Sequence, residues 1–194
     1  MLRIEAITSR ISIPALSRRH LLIIAGTVAA AVLTALATFV QIPLPFSPVP
    51  VTGQTMTVLI AGAMLGPMAG SMSQVLFLAL GATGMTAFAG GALSGVTGGY
   101  LIGFVFAAFL VGVVARRTQN VVAVGSAMAA ASAVILACGA AWLCVVQGLP
   151  VPEAISLGVL PFLPGDALKV FGALAVWRGS ASIRRAIAEG SDAE

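Results

Sequence analysis

Asp166 and Lys169 are the residues of this chain best placed to do chemistry. They stand three apart in the run Leu163-Pro164-Gly165-Asp166-Ala167-Leu168-Lys169, at the head of an apolar segment. Three-residue spacing on a helix lets two side chains pair. Asp166, following Pro164-Gly165, also reads as a helix N-cap whose carboxylate accepts from the backbone N–H of Lys169. An acid and a base so placed either satisfy each other or meet the polar head of a ligand. Their isolation favours the ligand, because every other charge lies in the terminal stretches, in Arg116-Arg117 or at Glu153.

The remaining polar candidates are neutral. Gln54 stands with Thr52, Thr55 and Thr57 at one expected helix start, and Gln74 sits within an apolar segment. Capping and helix–helix hydrogen bonding compete with ligand contact as their role. Phe46, Phe88 and Tyr100 are candidates to line a pocket, against simple packing. No His, Cys, Asp and Glu grouping has metal-ligand spacing, no nucleophile has a base beside it, and no phosphate-binding glycine loop occurs. The expectation is therefore no catalytic residue, no metal, no cofactor and no ATP hydrolysis by this chain. Cys138 and Cys144 point to different sides of one helix, which argues against a disulfide between them.

The elements that must hold these groups are set by composition. Of 194 residues 59% are hydrophobic and 8% charged, and mean hydropathy is +1.09. No Asp, Glu, Lys, Arg or His occurs from residue 21 through residue 115. Such a stretch marks an integral membrane protein, in which an embedded ionisable group is costly and a functional candidate by default. The net charge of +4 gathers at segment ends, where it sets topology, and does not point to nucleic acid. Residues 1–19 read as a retained cytoplasmic tail, 20–178 as one membrane domain and 179–194 as a second cytoplasmic tail.

Within the domain the first span is 20–41, with small residues at Ala25/Ala29 and Ala31/Ala35. Four-residue spacing puts each pair on one helix face and lets another helix come close, either within the chain or from a partner subunit. A Pro-rich stretch, 42–53, reads as a stiff extended loop. Two short apolar segments, 54–66 and 67–81, meet at Gly66-Pro67. A Gly-rich, apolar loop follows at 83–99, then spans at 100–115 and 120–147, a third loop at 148–165, and a last helix from Asp166 to about Trp177-Arg178, taken as its cytoplasmic interface. Basic residues favour the cytoplasmic side. If the N-terminal arginines, Arg116-Arg117 and the C-terminal arginines share that side, an even number of crossings separates Arg19 from Arg116, so 54–81 must be two helices. The expectation is an all-α protein with six transmembrane helices and both termini cytoplasmic. From Asp166 to Arg178 a helix rises roughly 18 Å, less than a ~30 Å hydrocarbon core. This places the acid–base pair below the outer surface, under the loops.

Several motifs together carry a resemblance. Pro-Val-Pro-Val-Thr-x-Gln-Thr (48–55), the Leu-Gly-Pro break (65–67), Phe-Ala-Gly-Gly (88–91), Thr-Gly-Gly-Tyr-Leu-x-Gly-Phe (97–104) and Leu-Pro-Gly-Asp-x-x-Lys (163–169) resemble the BioY family, the biotin-binding S components of energy-coupling-factor (ECF) transporters. The resemblance implies the ECF S-component bundle in the cell membrane and high-affinity uptake with a transmembrane T component and two ATPase subunits. It implies biotin as transported ligand, Asp166 and Lys169 as its polar contacts, and Phe88, Gly90 and Gly91 in a ligand-covering loop; Gln54 and Tyr100 join them as ligand-binding candidates. Ala25, Ala29, Ala31 and Ala35 would form the docking face for the T component; the small-residue faces also permit a homodimer without requiring one. The ligand chemistry agrees: biotin offers two ureido N–H donors, a carbonyl, an apolar ring and a carboxylate, and the residues leave open which end meets Asp166 and Lys169. The alternatives are an S component for another vitamin and a self-sufficient proton-coupled carrier using Asp166.

Overall fold

A computed structural model describes residues 17–83 and 94–181. The terminal stretches and the segment holding Phe88, Gly90 and Gly91 lie outside the described residues. The described residues form seven α-helices and one two-stranded hairpin, packed around a continuous apolar core.

Helix α1 (Arg18–Leu36) opens at Ser17, whose hydroxyl accepts from the His20 amide. One face of α1, with Leu21, Leu22, Ile24, Val28 and Val32, is exposed, while Ala31, Thr34 and Ala35 turn inward. The stretch read as an extended loop contains a short antiparallel hairpin, β1 (Gln41–Ile42) with β2 (Val51–Thr52), in register Gln41 to Thr52. It leads into α2 (Gln54–Leu65) and α3 (Pro67–Ala82).

The break between α2 and α3 is built as its sequence demands. Gly66 has φ of 82°, a left-handed conformation that side chains resist, and Pro67 occupies the first turn of α3, where no amide donor is needed. Arg116, from the end of α4 (Gly98–Arg117), donates through Nη2 to the Leu65 carbonyl at 3.1 Å. That bond satisfies one of the orphan carbonyls at the end of α2. A Cβ on Gly66 would collide with the same guanidinium.

Helices α4 and α5 (Val121–Gln147) form the centre, with Ala107, Ala108, Val111, Met128, Ala131 and Ile135 fully or nearly fully buried. Asn120 caps α5 through Oδ1, accepting from the amides of Val122 and Ala123. Glycines in α2 and α4 replace side chains where helices nearly touch: a Cβ on Gly62 would strike the Ala108 backbone.

The structure corrects the third loop. Residues 148–165 are mostly helical: α6 (Val151–Gly158), a 3-10 turn (Leu160–Phe162) and the start of α7 (Leu163–Gly179). Pro150 is the N-cap of α6, and Pro152, Pro161 and Pro164 fall in the first turns of their elements, so none interrupts a hydrogen-bond ladder. Trp177, expected at an interface, is buried against the core at 1% exposure.

Among the described residues, four helical stretches are long and apolar enough to cross a membrane: Arg18–Phe39, Gly98–Arg117, Val121–Gln147 and Val151–Gly179. Helices α2 and α3, at 12 and 16 residues, are apolar but rise only about 18 and 24 Å. The expected pair of short helices is present; the length criterion for a full span is met by four stretches, not six.

Candidate functional site

Asp166 is not the cap of its helix. Helix α7 begins at Leu163, after Phe162, which leaves Asp166 in the first turn with its backbone already helical. Its carboxylate is spent on side chains instead. Oδ1 accepts from Lys169 Nζ at 2.8 Å, within one helix. Oδ2 accepts from the Ser132 hydroxyl of α5 at 2.6 Å. Asp166 is 5% exposed, and the helix N-terminus adds a favourable field for its charge. Paired, hydrogen-bonded and beside a helix start, the carboxylate meets the conditions under which a buried charge is tolerated.

Two cavities meet at this residue. The smaller, of about 40 Å³, is lined by Val49, Pro50, Thr52, Gln54 and Thr55 from the hairpin and α2, by Thr97, Tyr100 and Phe104, and by Phe162, Asp166 and Lys169. It collects residues from five separate parts of the chain and nearly all the polar candidates. Its volume suits a few waters, so a larger ligand requires its walls to part. The other, about 760 Å³, is a groove between α5 and the α6–α7 segment, lined by alanines of α5 and by Val151, Ile155, Val170 and Phe171. The polar residues on its wall are Ser132 and Asp166, already bonded to each other. Asp166 and Leu136 belong to both walls. The larger space is the poorer in chemistry, and the small pocket is the better candidate site.

Gln54 fits a ligand-binding role. It is the first residue of α2, buried, and its Oε1 accepts from the Thr52 hydroxyl at 3.2 Å. Its Nε2 has no hydrogen-bond partner among the described residues. A buried amide donor left unpaired costs on the order of 1–3 kcal/mol, a penalty that a ligand acceptor would remove.

Tyr100 lines the pocket with its ring but spends its hydroxyl elsewhere. The OH donates to the Gly158 carbonyl at 2.7 Å, and the ring lies 6.1 Å from that of Phe162. Gly139 leaves the space this ring occupies, since a Cβ there would overlap it. The Ser47 hydroxyl reaches the adjacent Leu157 carbonyl at 2.8 Å. The end of α6 is thus pinned from two sides, by α4 and by the Pro-rich stretch. Elsewhere, Trp142 of α5 ties the loop before α4, donating from its indole to the Gly95 carbonyl at 2.9 Å.

Other expectations fare differently. Phe46 is 60% exposed and lines neither cavity. Gln74 is fully buried in α3, donating to the Ser73 hydroxyl, and lines neither cavity. Of the small residues on α1, Ala31 and Ala35 are buried in the core, because Thr34 between them faces inward and bonds Thr57; only Ala25 and Ala29 lie on the exposed face. Ala31 and Ala35 are therefore corrected from docking residues to packing residues. Ser132 is the polar contact that the sequence reading missed. Its one signal is a hydroxyl within an Ala-rich apolar span, eclipsed by the more obvious charges.

Comparison with known proteins bears on this arrangement. A model of the BioY family matches residues 9–188. The chain is 33% identical over 154 residues to a protein of Rhizobium etli named biotin transporter BioY, covering 72% of this chain and 82% of that one. It is 37% identical over 158 residues to a biotin transporter BioY of Rhodobacter capsulatus, covering 73% and 83%. A similar protein of Thermotoga maritima, also named biotin transporter BioY, is 34% identical over 144 residues, covering 66% and 79%. The fold is similar to a crystal structure of the S-component for biotin from an ECF-type ABC transporter, with a TM-score of 0.74 at 27% identity, over 81% of this chain and 89% of that chain.

Proposed function

The chain belongs to the BioY family, and from that premise we propose that it captures biotin at the cell membrane as the substrate-binding S component of an ECF-type transporter. It is a transport subunit, not an enzyme. The observation that carries the reading is the small polar pocket, where Asp166, Lys169 and the unpaired Nε2 of Gln54 converge from two helices. A ureido group has both N–H donors and a carbonyl, so it complements an acceptor flanked by donors. The apolar remainder, Val49, Leu101 and Phe162, suits the ring and chain, in the usual pattern of a mostly apolar pocket with a few fixed polar groups.

In this reading six helices cross the membrane with both termini cytoplasmic, and α2 and α3 act as two short spans. Arg116 and Arg117 at the end of α4 support a cytoplasmic end there. Uptake is driven by a transmembrane T component with two ATPase subunits, and Ala25 and Ala29 offer the T component a close-approach surface. The Gly-rich segment with Phe88, Gly90 and Gly91 covers the ligand.

Equilibrium titration of the purified chain with biotin tests the site. Asp166→Asn and Lys169→Ala are each expected to weaken binding at least tenfold, about 1.4 kcal/mol. Unchanged affinity in both would remove the site assignment. Binding of thiamine or riboflavin in place of biotin would keep the transporter class and change the substrate.

A further inference from the structure

We infer that Ser132 is a positioning residue for the ligand-binding carboxylate. Its hydroxyl fixes the plane of Asp166 so that the remaining lone pairs face the polar pocket and not the membrane-open groove. The inference rests on the assignment of Asp166 to the biotin site.

A carboxylate offers about four lone-pair directions. Lys169 takes one on Oδ1 and Ser132 one on Oδ2, which leaves one on each oxygen for a ligand. The two bonds differ in what they fix. Lys169 lies on the same helix, so its bond ties Asp166 only to α7. Ser132 lies on α5, and among the described residues its bond is the one that carries the Asp166 carboxylate to another helix. It therefore locks the α7 carboxylate to the rigid centre of the bundle.

The behaviour of the other hydroxyls makes this informative. A Ser or Thr inside an apolar helix ordinarily satisfies itself on a carbonyl three or four residues back. Thr27 does so on Ile23, Thr34 on Ala30, and Ser73 on Gly70, while Ser71 of α3 reaches a backbone carbonyl of α4, that of Val105. Ser132 does not; its hydroxyl turns across to Asp166 at 2.6 Å and is 5% exposed. It also lines the apolar groove and not the polar pocket.

The test is a double-mutant cycle on the full-length purified chain, read by biotin titration, with thermal unfolding of the ligand-free protein recorded alongside. Ser132→Ala is expected to weaken biotin about tenfold in the wild-type background and less than twofold in the Asp166→Asn background. Ser132→Thr, which keeps a hydroxyl, is expected to stay within threefold of wild type, a rescue that packing alone would not give. Equal losses from Ser132→Ala in both backgrounds would overturn the inference, since Ser132 would then act independently of Asp166. So would full affinity in Ser132→Ala while Asp166→Asn is impaired. Full affinity in Asp166→Asn would instead remove Asp166 from the biotin site, the premise on which the inference rests. Should Ser132→Ala fail to fold, Ser132→Cys, a weak donor of similar size, takes its place in the cycle with an intermediate loss expected and wild-type affinity overturning the inference.

Discussion

The two spaces that meet at Asp166 are opposites. The pocket facing the hairpin and α2 is about 40 Å³ and draws on Gln54, three threonines, Tyr100 and Lys169. The groove between α5 and α7 is about 760 Å³, and its wall is almost wholly aliphatic. In a soluble protein the groove would be the default site, because size and apolarity usually mark one. In a bilayer that inference fails. Lipid tails are themselves apolar, so an apolar groove open to them carries no drive to select a ligand, while a polar constellation at membrane depth must be maintained against its cost. Chemistry, not volume, separates the two.

The sharpest way to break this comparison is to neutralise its shared member. Asp166 and Lys169 either grip each other alone or grip a ligand, and stability and binding together tell these apart. Breaking a buried ion pair from one side typically costs 3–5 kcal/mol, whereas replacing both partners by neutral groups is often harmless. Lys169→Met alone is therefore expected to lower the unfolding temperature, and Asp166→Asn with Lys169→Met to recover most of the loss. Biotin binding is expected to fall at least a hundredfold in the double variant, about 2.7 kcal/mol, with no recovery. A stable double variant that still binds would show that the pair serves the fold alone.

That pair was legible in the sequence because charge is conspicuous in a chain where ionisable residues are absent for almost a hundred positions. The break at Gly66-Pro67 was legible too, from the residues themselves and from the arginines on either side. Three features were not, each for a physical reason. Proline reads as a helix breaker, yet Pro152 and Pro164 sit in first turns, so from sequence α6 reads as loop and Asp166 as a cap. Four-residue spacing gives the faces of α1 but not which one the core takes, so Ala31 and Ala35 could not be told from Ala25 and Ala29. A hydroxyl's partner depends on the neighbouring helix: Ser132 reaches Asp166 and Tyr100 reaches Gly158 across 34 and 58 residues of sequence.

A smaller effect sharpens the polar side. Gln54 leaves its side-chain amide nitrogen without a partner among the described residues, so Gln54→Leu removes a desolvation penalty from the empty protein and a donor group from the complex. The expected result is a protein at least as stable as wild type that binds biotin about tenfold more weakly, about 1.4 kcal/mol. Reduced stability together with unchanged affinity would return Gln54 to a purely structural role at the start of α2.

The smallest expected effect is on the other side of Asp166. Ala133 and Ala137 face the groove from the exposed side of α5, so larger apolar side chains there extend into space that lipid would otherwise fill. Ala137→Leu exchanges a protein–lipid contact for a protein–protein one of the same kind, and surface changes of this sort usually shift stability by no more than about 0.5 kcal/mol. Biotin affinity is expected to stay within twofold of wild type, measured in nanodiscs so that the groove is bounded by lipid. A tenfold loss from Ala137→Leu, in a protein that unfolds normally, would mean that the ligand uses the groove. The small pocket would then be only half of the site, and Asp166 its midpoint instead of its wall.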